Sequence, residues 1–156
     1  MFEEKFRQSK GKNIEHKGRS LLMQDVLEID SNVLLNASLE FSSVNSDWEQ
    51  GIVLGTKGEF IINTQRITDK VILWEKTAPK LVDFQIKSTS GKLSVYNAWK
   101  LPNGTVHFWH NGGALFCVRN SDFFEYHCND GYPDDDFDDL IFKLKIDSAK
   151  QNHQNV

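Results

Sequence analysis

Six aspartates fall within ten residues, Asp130, Asp134, Asp135, Asp136, Asp138 and Asp139, in the segment Cys128-Asn129-Asp130-Gly131-Tyr132-Pro133-Asp134-Asp135-Asp136-Phe137-Asp138-Asp139. Carboxylates at this density repel one another unless a proton, a metal ion or a basic partner offsets their charge. Three kinds of chemistry follow. Calcium takes six to eight oxygens, and Asn129, Asp130, Asp134, Asp135 and Asp136 offer several, although the spacing is not that of an EF-hand loop. A basic protein surface is the second match, with Tyr132 and Phe137 as aromatic anchors beside the charge. The third is an acidic turn whose aspartates cap backbone amides next to Gly131 and Pro133. Acid–base catalysis needs two carboxyls with separated pKa values, and a shared exposed loop gives no reason for separation.

The elements that must hold this segment read as strands. Leu140, Phe142, Leu144 and Ile146 alternate with Lys143 and Lys145, the period of a half-buried strand. Val33 to Phe41 alternates in the same way, as does Val82 to Ile86, and Val71-Ile72-Leu73-Trp74 is a continuous apolar run of the kind found in a central strand. Asn103-Gly104 between two alternating runs predicts a hairpin with a two-residue type I′ turn. Leu101 then faces Val106, Trp99 faces Phe108, and Asn97 faces His110 on the buried face, a polar pair read as a mutual hydrogen bond bracing the core, with a small pocket walled by Trp99 as the alternative. Tyr96 and Trp109 fall on the opposite, outer face, where they are covered by the second sheet or the 1–18 arm or, if exposed, stack sugars or anchor partners. A second hairpin turns near Arg119–Asp122 with Val118 facing Phe123. It puts Leu115, Cys117, Phe124, Tyr126 and Cys128 on one apolar face, with Cys128 opposite Gly113 and about 13 Å from Cys117. No helical stripe is sustained. These features predict an all-β chain, a two-sheet antiparallel sandwich of jelly-roll or Ig type, over residues 19–147. Residues 1–18 read as a flexible charged arm and 148–156 as a disordered tail.

Composition narrows the function. The chain has 156 residues, 39% hydrophobic and 26% charged, with a net charge of -4. That excludes wholesale disorder and suits one domain with its own core. Residues 1–19 carry six Lys/Arg against three Glu, a surplus too sparse to predict nucleic-acid binding. The first residues carry no apolar leader and no window approaches a membrane span, so a cytoplasmic location is expected, with Cys117 and Cys128 as thiols. His107-x-x-His110 has metal-like spacing on paper, but residues three apart in a strand point to opposite faces. No metal, cofactor or catalytic residue is assigned, since no nucleophile elbow or phosphate loop is present.

Tyr96-Asn97-x-Trp99, His110-Asn111-Gly112-Gly113-Ala114, Cys128-Asn129-Asp130-Gly131 and Phe137-Asp138-Asp139-Leu140-x-Phe142 together resemble a pattern of small uncharacterised bacterial β-sandwich proteins, over residues 70–146. Such proteins are similar in kind to immunity proteins that neutralise toxins, and the resemblance names no catalytic residue. The expected function is therefore protein binding by an immunity-type inhibitor. Its contact residues would be Asp130, Tyr132, Asp134, Asp135, Asp136, Phe137, Asp138 and Asp139, with Tyr96 and Trp109, docking on a basic partner such as a toxin nuclease. A calcium-dependent carbohydrate-binding module and an enzyme with its pocket at Asn97 and His110 are the alternatives.

Overall fold

A computed structural model describes residues 2–132 and 134–147. The chain forms α1 (Phe2–Gln8), β1 (Ile14–His16), β2 (Arg19–Leu21), β3 (Asp25–Glu28), β4 (Leu34–Val44), β5 (Glu49–Ile62) and β6 (Gln65–Trp74). It continues through β7 (Leu81–Ser88), β8 (Lys92–Lys100), β9 (Val106–His107), β10 (Ala114–Arg119), β11 (Phe124–Asn129) and β12 (Leu140–Ile146). All pairings are antiparallel, as the alternating patterns predict. No helix among the described residues is long and apolar enough to cross a membrane.

The expected pair of stacked sheets takes a different form. Hydrogen bonds join ten strands into one sheet along the path β10-β11-β12-β4-β7-β5-β8-β3, with β6 and β9 branching from it, curled strongly into a half-barrel. The fold-over happens on β5. Its first half, Glu49–Gly55, pairs with β8, while Gly58–Ile61 pairs with β7 on the same edge. Between them the register with β6 slips at Gly55/Glu59, the kind of bulge that lets one strand serve two layers. Gly58 makes the corner feasible: its φ is +149°, and a Cβ there would lie 2.0 Å from the Lys87 carbonyl oxygen.

The open side of the curl is closed by side chains and one backbone bridge, Leu22 to Leu115. Arg119 donates twice to Asp25 at 3.0 Å, and the Tyr126 hydroxyl donates to it at 2.8 Å. Trp109 Nε1 donates to the Met23 carbonyl at 2.8 Å. Inside lies a core that includes Leu39, Ile52, Phe60, Ile86, Tyr126 and Phe142.

The N-terminal residues are packed, not a free arm. Phe2 and Phe6 lie on one face of α1, one turn apart, and are buried with Leu21, Ala114 and Phe137 in a second small core. β1 and β2 form a two-stranded sheet through Lys17 and Gly18, both at positive φ, as a type I′ turn requires. The missing signal was the shortness of the helix: Phe2 and Phe6 are a single i, i+4 pair and set up no sustained stripe. Residues 148–156, read from sequence as a tail, lie outside the described residues.

Several strand assignments hold. β12 buries Leu140, Phe142 and Leu144, β4 buries Leu35, Ala37, Leu39 and Phe41, and β7 buries Val82, Phe84 and Ile86. The run Val71–Trp74 does not occupy a central strand: β6 pairs with β5 alone, and Ile72 is exposed. Trp74 is spent covering Gly51, where a Cβ would lie 2.7 Å from the indole.

Both predicted hairpins form, with shifted registers. Leu101 N donates to Thr105 O and Gly104 N to Leu101 O, so the loop has three residues, not two. Pro102 suits the first corner of a type I turn, and Gly104 at φ +88° takes the left-handed position that follows. Trp99 therefore faces His107, not Phe108. In the second hairpin Leu115 faces Cys128 and Cys117 faces Tyr126, two residues from the expected register. That even shift keeps Leu115, Cys117, Tyr126 and Cys128 on the predicted shared face. It also brings Cys117 and Cys128 to diagonal positions on adjacent strands, nearer than the expected separation; both are free thiols.

Candidate functional site

The loop after β11 divides into a buried neck and an open rim. Asn129, Asp130 and Gly131 form one side of the neck, and Phe137 and Asp139 the other; all five are buried. Asn129 stitches the loop together. Its Oδ1 accepts from Phe137 N at 2.8 Å and its Nδ2 donates to Asp134 O at 2.8 Å, while its own carbonyl accepts from Asn97 Nδ2 at 2.8 Å. Gly131 packs on Trp99, with a Cβ there 2.9 Å from the indole. The neck is thus clamped onto the centre of β8, and its position is a property of the sheet.

Asp130 and Asp139 meet inside this neck. Asp139 Oδ2 accepts from Asp130 N at 2.9 Å. Asp130 Oδ1 accepts from Tyr132 N at 3.0 Å, and its Oδ2 accepts from Ser46 Oγ and from Gln50 Nε2 at 3.1 Å. Every one of these donors is neutral. Among the described residues no Lys, Arg or His forms an ion pair with Asp130 or Asp139. Burial, and then the nearby charges of Asp130 and Asp134, push the Asp139 carboxyl up to about 7, against a partial opposing effect of the Asp130 N–H bond. Asp134 moves in the same direction, chiefly by burial. Asp135 moves the other way, lowered by hydrogen bonds from Lys17 and His16, with Lys17 Nζ at 2.6 Å. The loop therefore does drive its carboxyls apart, contrary to the sequence expectation. Folding buries one end of the loop and lays the basic β1–β2 turn against the middle.

An open cleft of about 540 Å³ lies over the neck, walled by Ser46, Asp47, Trp48, Tyr132, Asp134 and Asp139 among others. Its far wall is the β4–β5 connection, which sequence reasoning passed over. The available signal was a tryptophan among polar residues, Asn45-Ser46-Asp47-Trp48-Glu49, between two apolar runs. Gln50 was also missed. It is fully buried, donates from Nε2 to Trp48 O and Asp130 Oδ2, and leaves Oε1 as the one buried side-chain polar atom without a partner among the described residues.

The remaining expected contact residues separate. Tyr132 is 61% exposed, and Asp136 is exposed. Asp138 accepts from Asn45 Nδ2 at 3.0 Å at the cleft's edge. Phe137 is no surface anchor; it is 2% exposed and packs on Phe2 and Phe116. Tyr96 and Trp109 do lie together, 4.8 Å between rings, yet Tyr96 is 4% exposed because both faces of β8 are covered. Trp109 is half-buried over it. Asn97 and His110 do not meet. Asn97 serves the loop neck, while His110 is exposed beside Glu3 at 3.5 Å, so neither the expected mutual hydrogen bond nor a pocket lined by the two of them forms. His107 and His110 stack at 5.2 Å. No three His, Cys, Asp or Glu among the described residues are gathered at metal-ligand spacing.

No family model, curated protein or solved structure matches this chain.

Proposed function

We propose that this chain is a protein-binding module that receives a basic segment of another protein in the cleft between Trp48 and Tyr132, in the manner of an immunity-type inhibitor acting in the cytoplasm. One observation carries the reading. Two buried carboxyls, Asp130 and Asp139, lie at a cleft, and among the described residues no cation pairs with them. Buried negative charge of this kind is costly in the free protein, and a basic partner relieves it. Asp134, Asp136 and Asp138 around the opening add the field that speeds encounter, and the aromatic edges supply area to desolvate. Asp135 contributes least, since Lys17 already offsets it.

The test is titration with a Lys/Arg-rich peptide at low and near-physiological ionic strength, using the parent and a D134N/D136N/D138N variant that retains the neck. Expected is binding that weakens with salt in the parent and falls at least tenfold in the variant. Equal binding to both proteins, or none at low salt, overturns the reading. The protein encoded beside this gene in its source genome is the first natural partner to try, by co-purification and by protection from its toxicity.

A further inference from the structure

The cleft's chemistry singles out one cationic group. Around Asp130, Asp139 and Gln50 the acceptors outnumber the donors. Asp130 takes three neutral donors, Asp139 takes the Asp130 N–H, and Gln50 Oε1 takes none. The Gln50 carboxamide cannot repair this by flipping, because its Nε2 already serves two acceptors. Its unpartnered oxygen is held beside the carboxylate that its own amide nitrogen grips. A fitting guest must therefore be rich in donors and positively charged. Two of the walls, Trp48 and Tyr132, are aromatic, and a planar guanidinium stacks on aromatic faces while donating in its plane to carboxylates. An ammonium does only the second.

Resting on the binding reading above, we propose that the cleft is a receptor for a single arginine side chain, its guanidinium held between Trp48 and Tyr132 and hydrogen-bonded to the Asp130–Asp139 pair, with the buried Gln50 carboxamide behind Asp130. The groups facing Asp139 are Asp130 and Asp134, with the Cys128 thiol behind it; no basic side chain pairs with it among the described residues. Binding is then proton-linked. The guanidinium replaces a proton on the pair, which leaves to solvent, and arginine binds more tightly as the pH rises through the range where Asp139 ionises.

The experiment is nitrogen-detected NMR titration of the intact chain with a doubly blocked arginine amide, against the blocked lysine and citrulline amides. The Gln50 side-chain amide and the Trp48 indole are the reporters. Expected is saturable movement of both with arginine, about tenfold tighter at pH 8 than at pH 6 because the competent, ionised fraction rises by that factor. Citrulline, isosteric but neutral, should not move them. In D139N the pH dependence should vanish while residual arginine binding remains. Citrulline acting like arginine, or lysine binding as tightly as arginine, overturns the guanidinium assignment. Arginine binding unchanged from pH 6 to pH 8 overturns the proton linkage. If the blocked arginine fails while the basic peptide still binds the parent and not D134N/D136N/D138N, the single-arginine receptor is wrong and the wider binding reading stands. If the peptide also fails to distinguish those two proteins, the binding reading has failed with it.

Discussion

The curled sheet buries carboxyl groups in two places and treats them differently. At the seam between β3 and β10–β11, Asp25 is 6% exposed and receives Arg119 Nη2 on both of its oxygens together with the Tyr126 hydroxyl. At the loop neck, Asp130 and Asp139 are as deeply buried, and receive backbone N–H, hydroxyl and carboxamide donors only. Both sites satisfy hydrogen bonds; only the first neutralises charge. Hydrogen bonding and charge compensation are separate requirements on a buried ion. A site that meets both is a structural latch, closed to further partners. A site that meets the first alone holds a proton or awaits a cation, and the neck opens onto a cleft where one can arrive.

The latch should dominate stability. Asp25→Ala removes the acceptor of a fully buried tyrosine hydroxyl and of Arg119, and is expected to cost about 3 kcal/mol in urea unfolding. Tyr126→Phe, which leaves the Arg119 pair, should cost about 1 kcal/mol. Equal effects would mean that the arginine contributes nothing to the closure.

Next in size is the mechanical link between the neck and β8. A methyl at Gly131 meets the Trp99 indole at 2.9 Å, so Gly131→Ala should destabilise by about 2 kcal/mol through overpacking. It should also weaken binding of the basic peptide, since the loop must shift. Full stability in that variant would show that the neck is not clamped as described.

Asp139→Asn keeps the acceptor for Asp130 N–H and removes the ionisable group. The folded protein holds the Asp139 proton up to about pH 7, above the ordinary carboxyl value of 3.8, where the unfolded chain has released it. Its favourable contribution is complete below that ordinary value and is lost as the pH rises through 7. The substitution should therefore leave stability little changed at pH 5 and raise it, on the order of 1 kcal/mol, at pH 8. Thermal melts of the parent and the variant at both pH values check the sign. The smallest effect is expected at the exposed Lys17–Asp135 contact, where Lys17→Ala should not move the melting temperature measurably.

The fold was legible where the side-chain period alone decides it. β4, β7 and β12 each bury the alternating face their sequences mark, because no other pairing hides those residues. Registers were less legible, and the two hairpins show why. Shifting β11 by two residues against β10 preserved every face, whereas the extra loop residue beside Asn103-Gly104 moved the register by one and parted Asn97 from His110. Asn-Gly suits both a two-residue loop and a three-residue loop with a bulge, and Pro102 at the first corner decides for the latter. Conversely, the type I′ turn at Asn63-Thr64, with both φ values positive, lacks the glycine that would mark it. The single curled sheet was hidden because it depends on a corner at Gly58, a non-local contact with Lys87. At the site, the density of aspartates was plain from sequence. Which of them are buried was not, since that depends on Asn97 and Trp99 arriving from β8 and Ser46 from the β4–β5 connection.

Among the described residues, no cation offsets the burial of the two neck carboxyls. The most direct test of that uncompensated burial is a pH titration of the aspartate side-chain carbons by carbon-detected NMR in the free protein. Asp139 should titrate with a midpoint near 7, while Asp135, paired with Lys17, titrates below the ordinary carboxyl range in the same spectra. A midpoint for Asp139 at about 4, the value of a solvated aspartate, would contradict the account.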